Sequence, residues 1–229
     1  MKVVYTVSER IAQYVHASIN SLLAHNEVEK IWVFTDCGEK DCIPEICEQV
    51  DLRDQDWIYE RGPNICDMFP WIARVRLAMA KMLPNEDKIL YLDADTVVCD
   101  SLEPIWQTDM TGKWLGMVDE VYGGYKPFGE HYFNCGVMLM NLKQIREDKI
   151  DDAWIDFFNH NYIWLGEQDT LNRFYREDKF VSLPSRYNEF RATGMSDDPA
   201  IVHYAAIPDW YHPIRVATMQ RAAYLRKWL

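Results

Sequence analysis

Lys88-Ile-Leu-Tyr-Leu-Asp-Ala-Asp-Thr-Val-Val98 is a continuous apolar run interrupted by two carboxylates two positions apart. Burying either ion without a partner is costly, so the pair needs a reason to be there. Ile89, Leu90, Leu92, Val97 and Val98 read as one buried central strand, and positions i and i+2 of a strand share a face. On that geometry Asp93 and Asp95 grip one cation together. Two carboxylates leave a hard divalent ion with open positions, which water and substrate phosphates commonly complete. A phosphate-bearing substrate is the expectation.

Working outward, the N-terminal side alternates strand and helix signals. Val3 to Val7 reads as a strand; Ile11, Val15, Ile19, Leu22 and Leu23 recur at helical spacing; Ile31 to Phe34 gives a second strand. This βαβ opening predicts parallel strands. Asp67 to Leu83 reads as a helix with Pro70 tolerated near its start and Pro84 marking its end. Beyond the acidic pair, strands are expected over Trp114 to Val118 and Tyr132 to Leu142. Between them lies a loop from Tyr122 to Gly129, where Gly123, Gly124 and Gly129 suit folding around a ligand. Helices over Asp151 to His160 and Glu167 to Arg176, a short strand over Ile201 to Tyr204 and a basic C-terminal helix over about 213–229 complete the map. With no repeat or linker, residues 1–229 read as a single α/β domain with a Rossmann-like, mostly parallel central sheet flanked by helices. In such sheets ligands bind at the carboxyl ends of the strands, where Asp93 and Asp95 lie.

Composition narrows the function. Of 229 residues, 48% are apolar and 14% aromatic, enough for a sizeable core. Twenty-four basic residues against thirty-six acidic ones give a net charge of −12, the wrong sign for tracking a phosphate backbone, so stable nucleic-acid binding is not expected. The apolar run Met1 to Val7 is too short for a signal peptide, and no stretch has the roughly 18 apolar residues of a membrane span. The six cysteines, at 37, 42, 47, 66, 99 and 135, form no C-x-x-C pair and read as reduced thiols of a cytoplasmic protein.

Seven segments in order carry a resemblance to a known family. They are Ser18-Ile-Asn-Ser-Leu-Leu23; Arg76-Leu77 with Met82-Leu-Pro84; Lys88 to Asp95; Phe133-Asn-Cys-Gly-Val-Met-Leu-Met-Asn-Leu142; Glu167-Gln-Asp-Thr-Leu-Asn172; Leu183-Pro-Ser-Arg-Tyr-Asn188; and Ile201-Val-His203. Over nearly its whole length the chain resembles the retaining glycosyltransferases of family 8, the glycogenin and bacterial galactosyltransferase group, which have a GT-A fold. The resemblance implies that Asp93, Asp95 and His203 hold manganese, with magnesium as the second choice; imidazole favours the former. It places Arg76, with Arg74 as a second candidate, near the donor diphosphate, and Asn134 and Gly136 at the donor sugar. Glu167, Gln168 and Asp169 then lie beside the reacting anomeric carbon. The implied reaction moves glucose or galactose from a nucleoside-diphosphate sugar, UDP-glucose or UDP-galactose, to a hydroxyl of a carbohydrate, glycolipid or protein.

The chain also departs from that pattern. Ser8 and Ile11 stand where the family carries an Asp and a Tyr that contact uracil and ribose. His203-Tyr-Ala-Ala-Ile-Pro-Asp-Trp210 replaces the family's H-x-x-G-x-K-P-W, so Asp209 stands near the expected lysine, and Arg186, Arg191 or Arg215 would have to substitute. Tyr204, Trp210 and Tyr211 are candidates for sugar stacking or for core. These departures support an alternative, a catalytically silent nucleotide-sugar or carbohydrate-binding protein. A sugar nucleotidylyltransferase would want glycine in the loop after the first strand, and Ser8-Glu-Arg-Ile-Ala12 has none. The C-terminal segment, with Arg221, Arg226 and Lys227 among Tyr224, Leu225 and Trp228, is cationic and amphipathic, suited to packing as a terminal helix or to peripheral membrane contact.

Overall fold

The computed structural model describes residues 1–8, 15–37, 43–53, 62–64, 71–120, 126–190, 197–205 and 228. Strand β1 (Lys2–Val7), helix α1 (Val15–His25) and strand β2 (Lys30–Thr35) open the chain, and β1 and β2 pair in parallel with Val4 opposite Trp32. There follow β3 (Glu48–Asp51), a 3-10 helix (Trp71–Ala78), α2 (Met79–Met82), β4 (Lys88–Asp93), β5 (Thr96–Val98), α3 (Glu103–Trp106), β6 (Leu115–Asp119) and β7 (Phe133–Asn141). The remainder is α4 (Leu142–Asp148), α5 (Ile150–His160), α6 (Gly166–Arg173), β8 (Phe180–Ser182), a 3-10 turn (Ser185–Tyr187), β9 (Glu189–Phe190) and β10 (Ile201–His203).

Seven strands form one sheet in the order β3-β2-β1-β4-β7-β6-β8, which puts β4 in the middle. Strands β3, β2, β1 and β4 run parallel, β7 runs antiparallel to both β4 and β6, and β8 is parallel to β6. Each face carries a core, and the alternation along the strands assigns the side chains. Val3, Tyr5, Val7, Leu90 and Leu92 pack with α1 through Val15, Ile19 and Leu22. Val4, Ile89 and Tyr91 point the other way, into a core with Ile72, Val75, Trp154 and Leu171. Asp93, two residues beyond Tyr91, therefore emerges on the face that the 3-10 helix and α6 cover.

Three sequence expectations need correction. The run Lys88 to Val98 is two strands, because β4 ends at Asp93, a turn follows at Ala94 and Asp95, and Thr96–Val98 belongs to a separate three-stranded sheet, β5-β10-β9. Val97 and Val98 are fully buried in that second sheet, so the apolar signal continues across the break. Second, the helix expected over Asp67 to Leu83 is, where described, mostly 3-10. Ile72, Val75 and Ala78 recur at strict threes and are all buried in one core, the period of a helix with three residues per turn. Third, Cys37 is disulfide-bonded, whereas Cys47, Cys99 and Cys135 carry no disulfide, so the thiols are not all reduced. Of the C-terminal helix expected over 213–229, only Trp228 lies within the described residues, its ring edge-on to His25 at 6.3 Å between centroids. No helix among the described residues is long and apolar enough to cross a membrane.

Candidate active site

One ligand atom each from Asp93, Asp95 and His203 lies within 4.8 Å of the others. The convergence comes from the turn and the second sheet, not from a shared strand face. Thr96 Oγ1 donates to the Asp93 carbonyl at 2.8 Å and meets Ser18 Oγ of α1 at 2.9 Å, which pins the turn to the helix below. β10 then pairs antiparallel with β5, His203 opposite Thr96, and the Tyr204 N–H closes on the Asp95 carbonyl at 2.9 Å. His203 Nε2 ends 3.2 Å from Asp95 Oδ1 and 3.7 Å from Asp93 Oδ2. The ring lies over Gly136 of β7, where a Cβ would sit 2.1 Å from His203 Cε1. Glycine is needed there for close approach, not for its backbone angles.

Burial opposes charge on both His203 and Asp95, but their mutual attraction outweighs it. Burial works to lower the imidazole; the Asp95 charge and hydrogen bond, then Asp93, raise it above its usual value. Burial works to raise the Asp95 carboxyl; His203 beside it holds it below the ordinary carboxylate range. Two carboxylates and one imidazole nitrogen facing one point form a donor set that fits a manganese-type ion and fits magnesium less well.

A second layer surrounds this cluster. Between Met117 and Val118 of β6 the pairing with β7 jumps from Met138 to Asn134; Val137 still pairs with Leu92 of β4, but Cys135 and Gly136 leave both ladders. Their N–H groups go to side chains instead: Cys135 N to Gln168 Oε1 at 3.2 Å and Gly136 N to Asn134 Oδ1 at 2.9 Å. Bulged strands next to functional clefts commonly re-aim groups in this way. Arg76 is buried, and its guanidinium bonds Asp93 Oδ1 at 2.9 Å and the Cys135 carbonyl at 3.0 Å and lies 3.6 Å from Glu167 Oε1. Burial works against its charge, but Asp93 first and Glu167 last among its neighbours hold it firmly protonated. Arg76 thus ties the acidic cluster to α6.

The structure brings Asp93, Asp95, His203, Arg76, Asn134, Gly136, Glu167 and Gln168 to one place. Ser8 follows β1 directly, two residues after Thr6, which pairs with Asp93. Asp169 is 1% exposed, with Oδ1 accepting from Tyr132 OH at 2.6 Å and Oδ2 from the Leu165 N–H at 2.9 Å, so it braces the turn entering α6. Gly166 in that turn has φ +55, a left-handed conformation that side chains resist. Arg74 points elsewhere: its Nη2 donates to the Asn64 carbonyl and its guanidinium lies 5.5 Å from the Phe158 ring centroid. Arg186 is engaged at the surface by Asp100 and Asp198. Ile11, Arg191, Ala206, Asp209, Trp210, Tyr211 and Arg215 lie outside the described residues, as does Tyr122 to Tyr125 of the glycine loop. Tyr204 is buried core.

Sequence reasoning gave no role to Tyr91, whose hydroxyl donates to Asp93 Oδ1 at 2.8 Å, to Glu120, which accepts from Gln168 Nε2 at 3.3 Å, or to Asn188, which contacts both His203 and Asn134. Asn188 was visible as part of a motif, but its partners are remote in sequence.

Comparison with known proteins agrees with this architecture. Residues 72–208, more than half of the chain, match the model for glycosyl transferase family 8, and the chain belongs to that family. The glycosyltransferase GlyA of Streptococcus pneumoniae serotype 4 is 33% identical over 131 residues, covering 52% of this chain and 18% of GlyA. GlyF of the same organism is 30% identical over 163 residues, covering 65% of this chain and 38% of GlyF. The chain thus spans well under half the length of these curated relatives. Among solved structures, an active-site mutant of LgtC superposes with a TM-score of 0.78 at 23% identity, covering 100% of this chain and 95% of that one. That likeness establishes the GT-A fold. The galactosyltransferase LgtC has also been solved with donor and acceptor sugar analogues, at a TM-score of 0.76.

Proposed function

We propose that this protein is a metal-dependent, retaining hexosyltransferase that moves glucose or galactose from a UDP-sugar to a hydroxyl acceptor. The observation that carries the reading is the Asp93, Asp95 and His203 cluster at the carboxyl end of the middle strand. Asp93, Asp95 and His203 would hold the ion, manganese before magnesium. Bound there, it supplies Lewis-acid stabilisation of the departing diphosphate. Arg76 holds Asp93 in place through a 2.9 Å ion pair while neutralising part of the acidic charge. Asn134 and Gly136 face the donor sugar, and Ser8 stands beside the nucleotide. Glu167 binds sugar hydroxyls, and Asp169 seats the turn that carries it. Gln168 is held at both ends of its amide, by the Cys135 N–H and by Glu120. An amide is a poor nucleophile, which favours front-face attack, with the leaving diphosphate accepting the acceptor's proton. The acceptor class is a carbohydrate, a glycolipid or a protein hydroxyl.

The test is a thermal-shift panel of UDP, GDP, CDP, ADP and TDP, each with and without manganese, repeated on Asp95→Asn. Ligand at about a hundred times its dissociation constant adds about 2.7 kcal/mol, or roughly 5–10 °C for a chain of this size. A manganese-dependent shift with UDP, lost in the variant, is expected; hydrolysis of UDP-glucose or UDP-galactose then identifies the hexose. No shift with any nucleotide refutes the reading, and a shift without donor hydrolysis favours the silent binder that the departures at Ser8 and Asp209 allow.

A further inference from the structure

The polarity of the hydrogen-bond chain behind His203 is fixed by a backbone group. The Gly136 N–H can only donate, and it points at Asn134 Oδ1, 2.9 Å away, so this end of the Asn134 amide is its oxygen. Asn188 Nδ2 lies 2.9 Å from the same oxygen, so Asn188 presents its NH₂ there and its own oxygen at the opposite end. That oxygen is 2.8 Å from His203 Nδ1, which must therefore carry a hydrogen. In the neutral ring the lone pair then sits on Nε2, the nitrogen facing Asp95 and Asp93. Asn188 is fully buried and held at the end of the 3-10 turn by its N–H to the Ser185 carbonyl at 3.0 Å.

We infer that Asn188 is a positioning residue with two outputs: it sets the His203 tautomer toward the metal, and it turns the NH₂ of Asn134 toward the donor sugar. The inference rests on the metal and donor reading above. One amide performs both tasks because it offers an acceptor at one end and a donor at the other. The consequence for specificity is that Asn134, its oxygen already taken by Gly136 and Asn188, can only donate to the sugar. It therefore reads a hydroxyl oxygen as an acceptor.

Two variants separate the outputs. Asn188→Ala removes both, and Mn²⁺ affinity, followed by the electron paramagnetic resonance signal of free Mn²⁺, should fall about 10- to 100-fold. Asn188→Asp keeps an acceptor for Nδ1 but loses the donor to Asn134. Mn²⁺ affinity should stay within about threefold of wild type or tighten, because carboxylate–histidine–metal arrangements are favourable. The Asn134 oxygen, held by the Gly136 N–H, then faces a carboxylate in place of an NH₂ and is displaced, so UDP-glucose and UDP-galactose, titrated calorimetrically at saturating Mn²⁺, should bind about tenfold more weakly while UDP alone is unchanged. If Asn188→Ala does not fold, Asn188→Ser takes its place. Wild-type Mn²⁺ affinity in Asn188→Ala overturns the first output. Equal loss of UDP and UDP-hexose in Asn188→Asp, or no loss of either, overturns the second. A wild-type protein that binds no Mn²⁺ overturns the metal reading itself.

Discussion

Substituting Gly136 by Ala tests how tightly the site is built. The added Cβ would lie 2.1, 2.7 and 2.8 Å from His203 Cε1, Nδ1 and Nε2, whereas ordinary contact begins near 3.4 Å. Either the ring recedes by about 1.3 Å or β7 does, and β7 is laddered to both β4 and β6. The ring is 3% exposed and bonded to Asn188 at 2.8 Å, so its retreat breaks that bond and moves Nε2 away from Asp95. Overpacking of this kind costs about 1–3 kcal/mol, which lowers the melting temperature of a domain this size by roughly 2–12 °C. Mn²⁺ affinity should fall with it, about tenfold or more, as when a ligating histidine is misoriented. Thermal melts and Mn²⁺ titrations of Gly136→Ala, His203→Ala and the double variant give the decisive comparison. If the clash is the cause, the methyl costs little once the ring is gone, and the two substitutions are strongly non-additive. Equal cost of Gly136→Ala in both backgrounds would refute the reasoning.

Arg76→Met removes the cation shared by Asp93 and Glu167 and should cost about 3–5 kcal/mol, read from the urea midpoint, because the half-buried Asp93 and the buried Glu167 both lose their partner; a change below about 1 kcal/mol would contradict it. Asn64 Nδ2 donates to the Phe158 and Asn161 carbonyls at 2.6 Å each, and its oxygen accepts the Ile163 N–H at 2.9 Å. Asn64→Ala should therefore destabilise by about 1–3 kcal/mol and make the exposed stretch around Tyr162 and Trp164 newly sensitive to chymotrypsin. Asp148 is held below the ordinary carboxylate range, first by Lys179 and then by the Trp114 indole N–H. Its folded value is depressed, so its contribution is present above the unfolded value of about 3.9 and fades as pH falls through the lowered folded value. The stability gap between wild type and Asp148→Asn should close below about pH 4; a gap that widens on acidification would count against the assignment.

Much of this architecture was legible because it rests on local signals. The βαβ opening, the parallel pairing and β7 follow from runs such as Val3 to Val7 and Phe133 to Leu142, whose apolar residues are buried as the pattern requires. Strand β3 was not legible, since Glu-Gln-Val-Asp at a sheet edge carries a single large apolar residue. β8 and β9, three and two residues long, are shorter than any periodicity can register. The break after Asp93 was hidden because one apolar run serves two sheets. Composition could not separate Arg74 from Arg76 either: two positions apart on a 3-10 helix they diverge, one to Asn64 and the other to Asp93. Cys37 shows the limit of spacing arguments, because a disulfide depends on what the fold brings near it.

The departure of Cys135 and Gly136 from the β6–β7 ladder has a consequence for how the protein breathes. Amide hydrogens locked between strands exchange with deuterium only when the sheet opens, whereas these two are sheltered by the side chains of Gln168 and Asn134. Their exchange rates, measured against that of a neighbour such as Leu139, would time the swing of these two side-chain amides without disturbing either. The backbone of β7 thus carries its own clock for the site it lines.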